Sequence, residues 1–442
     1  MNLGIDIGSS FIKTCLLGES SISHIKRVKS PSSGPEVNGK HEGNPKLFLE
    51  IVISLIDEYL NKHEDINGIY ISTQMHCFVM VDELGNPCSD LITWKDRRSE
   101  EFFVGKLNTI DWFKKNISSD ILLQTGMGVR SGLPSLNLFV LERQNKINNT
   151  MSFGTIGDYL ISSITNTPIS TSLSNAAGTG LFNLEENCWN NKLIDLLGLK
   201  LQLPKIHRKS NEPIGSYNKV DVFSSIGDQQ ASLLGLEEDL SKVAVSNIAT
   251  GSQATVISES LILNHNFQTR PFINNSYILT IPFIPAGRVL NSLINLLMEV
   301  NNKFFNGSVE VDEVWERFIN FTNEIDLDKN HISPLIINTD LIGSFSTDGG
   351  SISGMNENNF QLKDIVLAFV VDIASNHSYA LEVLREQKNF ESIIISGGIS
   401  QKLSIIKKIL ESRQDTKVSV SHVQEDALNG LRVLSTGKVE IW

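Results

Sequence analysis

Apolar residues alternate with small or polar residues at the start of the chain and again near its midpoint. In the first stretch, "NLGIDIGSSFIKTCLL" at 2–17, Leu3, Ile5 and Ile7 take every second position, and the alternation resumes after a short turn. A period of two is that of a β-strand. The second stretch, "VAVSNIATGSQATVI" at 243–257, has the same plan of strand, small-residue turn and strand. The repeated plan predicts two related halves.

Elsewhere apolar residues recur at the spacing of three to four that predicts amphipathic helices. A β-branched run, "SIIIS", precedes a Gly-Gly turn and one more helical stretch. Because strands mix with helices in both halves, the chain is predicted to be an α/β protein. The longer predicted helices are 133–147, 155–165, 285–305 and 362–387, and the strands predicted between the first hairpin and these helices are 68–72 and 77–82.

The length of 442 residues suggests two to three domains. We predict two, 1–236 and 237–442, with the boundary near Leu236 inferred from the repeat alone. No linker rich in proline, glycine or serine marks it.

Charge and cysteine usage exclude several classes of partner. The chain has 38 Lys and Arg against 50 Asp and Glu, a net charge of −12, and no stretch basic enough to follow a phosphate backbone. We therefore expect no nucleic acid partner.

The four cysteines form no CxxC pair, which suits free thiols in a reducing compartment. No apolar run reaches transmembrane length, so we expect a cytoplasmic protein without a membrane partner.

Three turns with glycine and small hydroxyl residues are candidates for phosphate or nucleotide contact, because such residues let an anion approach backbone N–H groups. They are Gly8-Ser9-Ser10, Thr250-Gly251-Ser252 and Gly397-Gly398. The first follows Asp6, an aspartate in mid-strand where this residue is disfavoured. A plain hairpin with a solvated aspartate explains the first turn equally well, and a tight strand-to-helix connection explains the third.

Polar side chains follow two strands of the first half. Gln74 and His76 lie in "STQMHC", and Trp94 and Asp96 lie in "TWKDRR". Polar groups beside one aromatic wall suit a polyhydroxylated ligand, although a core histidine and a surface charge cluster explain the motifs singly. Asp228, in "SSIGDQQASLLG", begins a predicted helix. There a carboxylate either caps the helix or, held ionised, takes a proton from a hydroxyl group.

Taken together and in this order, these segments resemble the FGGY carbohydrate kinases, and within them the sedoheptulokinase-like and xylulokinase-like members. The matching segments are "GIDIGSSFIK", "STQMHC", "TWKDRR", "GTIGDYL", "GDQQASLLG", "NIATGSQ" and "SGGISQK", which cover nearly the whole chain. The resemblance implies two actin-like domains, each with a ribonuclease-H-like core, that close over ATP and a sugar. Several members of the family are dimers, so it also allows a homodimer.

The resemblance also implies roles for individual residues. Asp228 matches the general base that deprotonates the sugar hydroxyl. Asp6 matches a carboxylate near Mg²⁺, and Asp228 is expected to contact the same ion. The sugar-contacting positions are Gln74, Met75, His76, Trp94, Asp96 and Asp228. The nucleotide-contacting positions are Gly8, Ser9, Ser10, Lys13, Thr250, Gly251, Ser252, Gly397 and Gly398.

The resulting expectation is an ATP- and Mg²⁺-dependent kinase acting on a ketose, with sedoheptulose as the leading acceptor. Xylulose and ribulose are alternatives within the class. A binding protein without catalysis on the same scaffold, and a filament-forming protein, are alternatives from other classes. Two positions depart from the family pattern: Cys77 stands where glycine is frequent, and Lys402 where asparagine is usual.

Overall fold

A computed structural model describes residues 1–34, 36–249, 251–325, 335–340, 349–399 and 401–439 of the 442-residue chain. The strands are β1 (Asn2–Ile7), β2 (Phe11–Leu17), β3 (Ile22–Lys29), β4 (Glu42–Gly43), β5 (Gly68–Thr73), β6 (Phe78–Val81), β7 (Leu91–Ile92), β8 (Phe103–Val104), β9 (Leu107–Asn108), β10 (Ser152–Thr155), β11 (Ser170–Ser172), β12 (Phe182–Asn183), β13 (Cys188–Trp189), β14 (Lys205–His207), β15 (Pro213–Tyr217), β16 (Val220–Phe223), β17 (Ile226–Gly227), β18 (Val243–Asn247), β19 (Ser252–Ser258), β20 (Gln268–Pro271), β21 (Tyr277–Ile284), β22 (Ile336–Asn338), β23 (Ser351–Ser353), β24 (Ser392–Ser396) and β25 (Lys417–Val420). The helices are α1 (Pro45–Lys62), α2 (Arg98–Glu101), α3 (Thr109–Asn116), α4 (Ser119–Gln124), α5 (Pro134–Arg143), α6 (Ile156–Thr165), α7 (Leu173–Gly178), α8 (Asn191–Leu197), α9 (Asp228–Gly235), α10 (Gly287–Phe304), α11 (Val311–Asn323), α12 (Leu362–Arg385), α13 (Ser404–Gln414) and α14 (Asp426–Ser435).

Each half of the chain builds one large mixed sheet, and the two sheets share a topology. Five strands of the first sheet run in the order β3-β2-β1-β5-β16, and five strands of the second run β21-β19-β18-β24-β25. In both, the first two pairs of neighbouring strands are antiparallel and the last two pairs are parallel. The predicted relation between the halves is therefore confirmed by the order and direction of the strands.

The elements predicted from apolar periodicity are present, with ends that differ by up to four residues. The predicted helix 362–387 is α12, and the predicted helix 133–147 ends earlier, at Arg143 in α5. Pro134 begins α5 because its fixed φ suits the first helical position. No helix in the described ranges is both long and apolar enough to cross a membrane.

The two halves pack against each other through α9 and α14. An apolar cluster at this junction combines side chains of the first half, such as Leu17 and Leu234, with side chains of the second, such as Ile278 and Leu431. The two helices cross at very short range. A Cβ atom on Gly430 would lie 1.8 Å from the carbonyl oxygen of Ala231, so only glycine fits there.

Gly430→Ala is expected to destabilise the protein, although alanine is the better helix former. The added methyl group has to push α14 away from α9, and overpacking of this kind costs about 1–3 kcal/mol. Thermal or urea unfolding measures the change. The matched control is Gly43→Ala, where the nearest atom, Cδ2 of Leu91, lies 3.9 Å from the added Cβ. Unchanged stability of Gly430→Ala would contradict the close crossing.

The proposed domain boundary coincides with the end of α9. Leu236 caps this helix, and Glu237 follows with a φ of 54°, where the chain turns toward β18. The last helix, α14, belongs to the second half by sequence but also packs against β1, β2 and β5 of the first. The division into 1–236 and 237–442 stays a prediction.

Candidate active site

Strand pairing in the first sheet brings Asp6 and Asp228 to one edge. Asp6 on β1 pairs with Ser72 on β5, and Ser72 pairs with Ile226 on β17, two residues before Asp228. The three strands are parallel to one another, and the carboxyl ends of parallel strands are where α/β folds place ligands. The charge of Asp228 accordingly acts on Asp6 and raises its pKa.

Asp6 is a buried carboxylate with limited compensation. Burial, with a smaller contribution from the charges of Asp228 and Asp426, outweighs the opposing effects of Lys13 and Ser72 and raises the pKa of Asp6 from its ordinary 3.8 to about 6. Ser72 Oγ donates a hydrogen bond to Asp6 Oδ1 at 3.1 Å. Lys13 Nζ lies 3.6 Å from Oδ2 of the same carboxylate. An additional positive charge beside Asp6 would therefore stabilise its ionised form.

Lys13 links carboxylates of the two halves. It faces Asp6 across the β1–β2 hairpin, and its Nζ lies 2.8 Å from Glu425, the residue before α14. Arg27 also forms an ion pair with Glu425. Although burial lowers the pKa of Lys13, the carboxylates of Asp6 and Glu425 hold it above its ordinary value. Lys13 is thus a fixed cation at the predicted phosphate site.

Asp228 opens α9 and lines a cavity between the halves. Burial raises its pKa above the ordinary value, while the N–H group of Gln229, which donates to Oδ1 at 2.9 Å, and the charge of Arg270 lower it. A raised pKa makes the carboxylate a stronger base than an exposed aspartate, and the helix N-terminus favours its ionised form. The geometry suits abstraction of a proton from a hydroxyl group.

The cavity beside Asp228 has a volume of about 240 Å³ and takes its walls from both halves of the chain. The first half contributes Gln74, Met75, His76, Trp94, Arg130, Asp228, Gln229 and Ser232, and the second half contributes Asn247, Gly251, Ser252, Gln253, Arg270, Pro282 and Phe283.

Five of the six predicted sugar-contacting residues lie together in this cavity: Gln74, Met75, His76, Trp94 and Asp228. Gln74 Nε2 donates to the carbonyl oxygen of Ile7 at 3.3 Å, which ties the segment to the end of β1. His76 Nδ1 lies 2.7 Å from the carbonyl oxygen of Gly178. Burial, followed by the charges of Arg130 and Arg270, holds the pKa of His76 well below its usual range, so its ring is neutral.

Asp96, the sixth of these predicted residues, lies outside the set that lines the cavity. It is fully buried, and Arg98 reaches both of its oxygens, at 2.7 Å and 2.8 Å. The backbone N–H groups of His41 and Arg98 also donate to it. These contacts describe a carboxylate that organises the loop after Trp94, and contact with a sugar stays a prediction.

The two predicted phosphate turns follow β1 and β18, each of which pairs antiparallel with the next strand along the chain. Gly8 N–H donates to the carbonyl oxygen of Phe11 at 3.1 Å, and Ser9 and Ser10 are exposed. Thr250 lies outside the described residues. Ser252 Oγ accepts from the N–H of Ala249 and donates to the carbonyl oxygen of the same residue. A Cβ on Gly251 would meet no atom within 4 Å, so a ligand can approach this backbone.

The third turn follows β24, next to β18 in the second sheet. Gly397 has a φ of +93°, and a Cβ there would lie 2.5 Å from the carbonyl oxygen of Ile248, so this position requires glycine. Gly398 is exposed, and a Cβ there would meet nothing within 4 Å. Neither glycine lines the cavity of Asp228, and their contact with adenosine stays a prediction.

Sequence reasoning missed several cavity residues, of which Arg130, Arg270 and Phe283 are the most distinctive. Arg270 is 4% exposed and donates to Gln229, Gln268 and Met75. Arg270 lies in "QTRPF", where polar residues precede it, so the sequence carries no local signal that it is buried. Arg130 lies in the loop "GMGVRSG", which carries no such signal either.

The carboxylates fit the Mg²⁺ ion that the family resemblance implies. Mg²⁺ prefers oxygen ligands and is held by one or two carboxylates together with substrate phosphates. Asp6 and Asp228 supply such oxygens. The raised pKa of Asp6 shows that its ionised form is unfavourable in the buried site, and a bound cation would stabilise that form. In the described part of the chain, no group of three or more histidine, cysteine, aspartate or glutamate side chains forms a site for a metal.

Comparison with known families identifies the first half of the chain. The model of the FGGY family of carbohydrate kinases, N-terminal domain, matches residues 1–243. The xylulose kinase of Staphylococcus xylosus is 24% identical over 419 residues, which is 90% of this chain and 82% of that protein. Glycerol kinase 2 of Saccharolobus solfataricus is 28% identical over 276 residues, which is 57% of this chain and 52% of that protein.

Solved structures share the whole fold. The gluconate kinase of Lactobacillus acidophilus superposes with a TM-score of 0.83 at 19% identity, covering 98% of this chain and 88% of that one. The glycerol kinase of Plasmodium falciparum with ADP superposes with a TM-score of 0.82 at 20% identity, covering 98% and 89%. The predicted actin-like fold of two ribonuclease-H-like domains is thereby confirmed.

Proposed function

Because this chain belongs to the FGGY family of carbohydrate kinases, we propose that it transfers the γ-phosphoryl group of ATP to a hydroxyl group of a ketose. The observation that carries the proposal is the cavity that Asp228 shares with Trp94 and Ser252. One wall offers polar groups and an aromatic ring for a polyhydroxylated acceptor. The other ends at a turn whose exposed backbone suits a phosphate.

In this reaction Asp228 acts as the general base. Its carboxylate accepts the proton of the attacking hydroxyl group as the oxygen–phosphorus bond forms and the bond to the leaving ADP breaks. Gln74 and His76 hold the acceptor so that its hydroxyl group reaches Asp228. Alignment of the two substrates and exclusion of water supply most of the acceleration in phosphoryl transfer, and a cleft between two domains provides both.

The nucleotide is proposed to lie between the turns at Gly8–Ser10 and 250–252, with its base near Gly397 and Gly398. Lys13 neutralises part of the phosphate charge. Asp6 and Asp228 would hold Mg²⁺, and the ion would supply positive charge beside the phosphates. The antiparallel pairing of the strands on either side of each turn and the buried charge of Asp6 support this arrangement.

Sedoheptulose is the proposed acceptor, with xylulose and ribulose as the competing ketoses. The sedoheptulose proposal rests on the resemblance of "LITWKDRRSEEFF" and "NIATGSQ". The xylulose alternative has the support of the Staphylococcus xylosus relative, whose match covers most of both chains.

An acceptor panel tests the function and the substrate together. With ATP and Mg²⁺, D-sedoheptulose is expected to give the highest kcat/KM among D-sedoheptulose, D-xylulose, D-ribulose, glycerol and D-gluconate. ADP release and the mass of the phosphorylated product are the measurements. A product from D-xylulose but none from D-sedoheptulose would overturn the narrower proposal. Tight binding of sugar and ATP without any product would favour the binding-protein alternative.

A further inference from the structure

Two guanidinium groups, those of Arg130 and Arg270, line the acceptor side of the cavity. A guanidinium group has five N–H donors and no acceptor. Neither forms an ion pair with a carboxylate among the described residues, and the Nε of each is buried without a hydrogen-bond partner. Burial lowers the pKa of Arg130 to about 9 and that of Arg270 to about 10. The cavity therefore has donors in excess on this wall.

The loop that carries Arg130 is fixed on both sides by glycines. Gly126 has a φ of +67°, and a Cβ there would lie 2.2 Å from the carbonyl oxygen of Thr269 on β20. Gly132 has a φ of +76°, and a Cβ there would lie 2.0 Å from the carbonyl oxygen of Trp94. The Thr269 N–H also donates to Gly126 at 2.8 Å. Arg130 is thus held between the loop of Trp94 in the first half and β20 in the second half.

Phe283, a residue of the second half with a strained backbone, packs against the side chain of Arg130. The guanidinium carbon of Arg130 lies 4.5 Å from the centre of the Phe283 ring, and its Nη1 donates to the carbonyl oxygen of Ser131 at 2.8 Å. Phe283 has a φ of 63° and lies where the β19–β21 register shifts by a residue. A bulge with a left-handed phenylalanine is costly and re-aims its side chain. The strain holds an aromatic ring against the guanidinium across the cleft.

The lining of the same cavity also contains two hydrogen-bond acceptors, Asp228 and His76. Asp228 presents a carboxylate. His76 uses Nδ1 to donate to Gly178, and because its ring is neutral, its Nε2 carries no proton and can only accept. A ligand is therefore complementary when it directs hydroxyl protons toward Asp228 and His76 and an oxygen without a proton toward Arg130.

We propose that Arg130, supported by Arg270, binds the carbonyl oxygen of the acceptor and makes the enzyme select carbonyl compounds over polyols. The proposal rests on the proposed kinase function. Such an oxygen belongs to the keto group of a ketose or to the carboxylate of an aldonate. An alditol of the same length offers only hydroxyl groups at that position, and each can accept from the guanidinium only weakly compared with a carbonyl oxygen in a charge-assisted hydrogen bond.

The test compares acceptors of equal chain length, in which the ketose and the alditol differ at C2 alone and the aldonate carries its carbonyl oxygen at C1. The five-carbon set is D-xylulose, xylitol and D-xylonate, and the seven-carbon set is D-sedoheptulose, volemitol and D-glucoheptonate. For the wild-type enzyme, kcat/KM is expected to be about 10- to 100-fold higher for a carbonyl compound than for the alditol of its set. Calorimetric titration of each acceptor without ATP measures the same selectivity as a ratio of Kd values.

Arg130→Met is expected to lower the kcat/KM ratio of carbonyl compound to alditol to about one. The main cause is a higher KM for the carbonyl compound. Arg130→Lys keeps the charge without the planar pair of donors and is expected to retain part of the ratio. The matched control is Arg143→Met, which removes an arginine stacked 5.1 Å from the Phe139 ring and absent from the cavity lining. In Arg130→Ala, added guanidinium ion at millimolar concentration is expected to restore part of the binding.

The outcomes separate this inference from the kinase proposal. Selectivity for D-sedoheptulose or D-xylulose that disappears in Arg130→Met supports both. Selectivity for an aldonate that disappears in the same variant supports the role of Arg130 and overturns the ketose proposal. Equal kcat/KM and equal Kd for carbonyl compound and alditol in the wild-type enzyme overturn the inference while leaving a polyol kinase. Selective binding without any product supports the role of Arg130 and defeats the kinase proposal.

Discussion

Asp228→Asn is expected to lower kcat by about 10²- to 10⁴-fold, the range that a positioned general base contributes. The amide keeps the size of the side chain and still accepts the N–H of Gln229, so the start of α9 should be preserved. It cannot take the proton of the attacking hydroxyl group. Steady-state kinetics with ATP and the best ketose of the acceptor panel measures the loss.

Nucleotide binding separates a catalytic defect from a folding defect. The Kd for ATP, measured by calorimetry without Mg²⁺ so that the proposed metal role of Asp228 does not contribute, is expected to change less than about tenfold, since the turns at Gly8–Ser10 and Gly397 lie on other elements. Asp195→Asn, at an exposed aspartate in α8, is the matched control and should keep full activity. Full activity of Asp228→Asn would remove this residue as the base.

Much of the fold could be predicted from local patterns. The hairpin at 2–17 and its repeat at 243–257 each use a period of two, and each pairs on one side with a parallel strand and on the other with an antiparallel strand. Helix ends were less accurate, as at Arg143, because the last turn depends on tertiary packing rather than on apolar spacing. The close crossing at Gly430 could not be predicted, since it depends on a residue about 200 positions away.

Parts of the site could be predicted because their residues lie in compact motifs. Gln74, Met75, His76, Trp94 and Asp228 are all in the cavity lining, each within a short segment that carries its own chemical signal. Asp96 belongs to such a motif too, yet its oxygens are taken up by Arg98, two residues along the chain. A motif identifies candidates, but only the fold decides which way each side chain points.

Site residues that carry no local sequence signal could be identified only from the structure. Arg130 enters the cavity because Gly126 and Gly132 let its loop pass close to two other backbones. Glu425 reaches Lys13 across more than 400 positions because α14 packs beside β1 and β2. Such contacts depend on how the two halves meet, and no periodicity in the sequence carries that information.

Asp6→Asn is expected to abolish most activity and yet to stabilise the protein without ligands. Burial raises the pKa of Asp6 from 3.8 to about 6. Below pH 3.8 the group is protonated in both folded and unfolded chains, so it costs nothing. Between pH 3.8 and 6 the folded chain holds the proton more tightly, and stability falls as the pH rises; above pH 6 the full cost of the buried charge remains.

The amide removes that cost at neutral pH. Lys13 does not become an unpaired cation, because its ion pair with Glu425 at 2.8 Å remains. At pH 7.5 the melting temperature of Asp6→Asn is expected to exceed that of the wild type by about 2–4 °C, and the difference should shrink toward pH 4. Activity is expected to fall at least about 100-fold, because a carboxylate proposed to hold Mg²⁺ beside the phosphates is lost.

Mg²⁺ itself distinguishes the proposed metal role from a purely electrostatic one. Millimolar Mg²⁺ with ADP is expected to raise the melting temperature of the wild type more than ADP alone, because a ligand that binds the folded state stabilises it. The extra rise should be absent in Asp6→Asn and present in Asp90→Asn, which changes an exposed aspartate. An equal Mg²⁺-dependent rise in Asp6→Asn would show that Asp6 does not hold the ion, whatever its effect on stability.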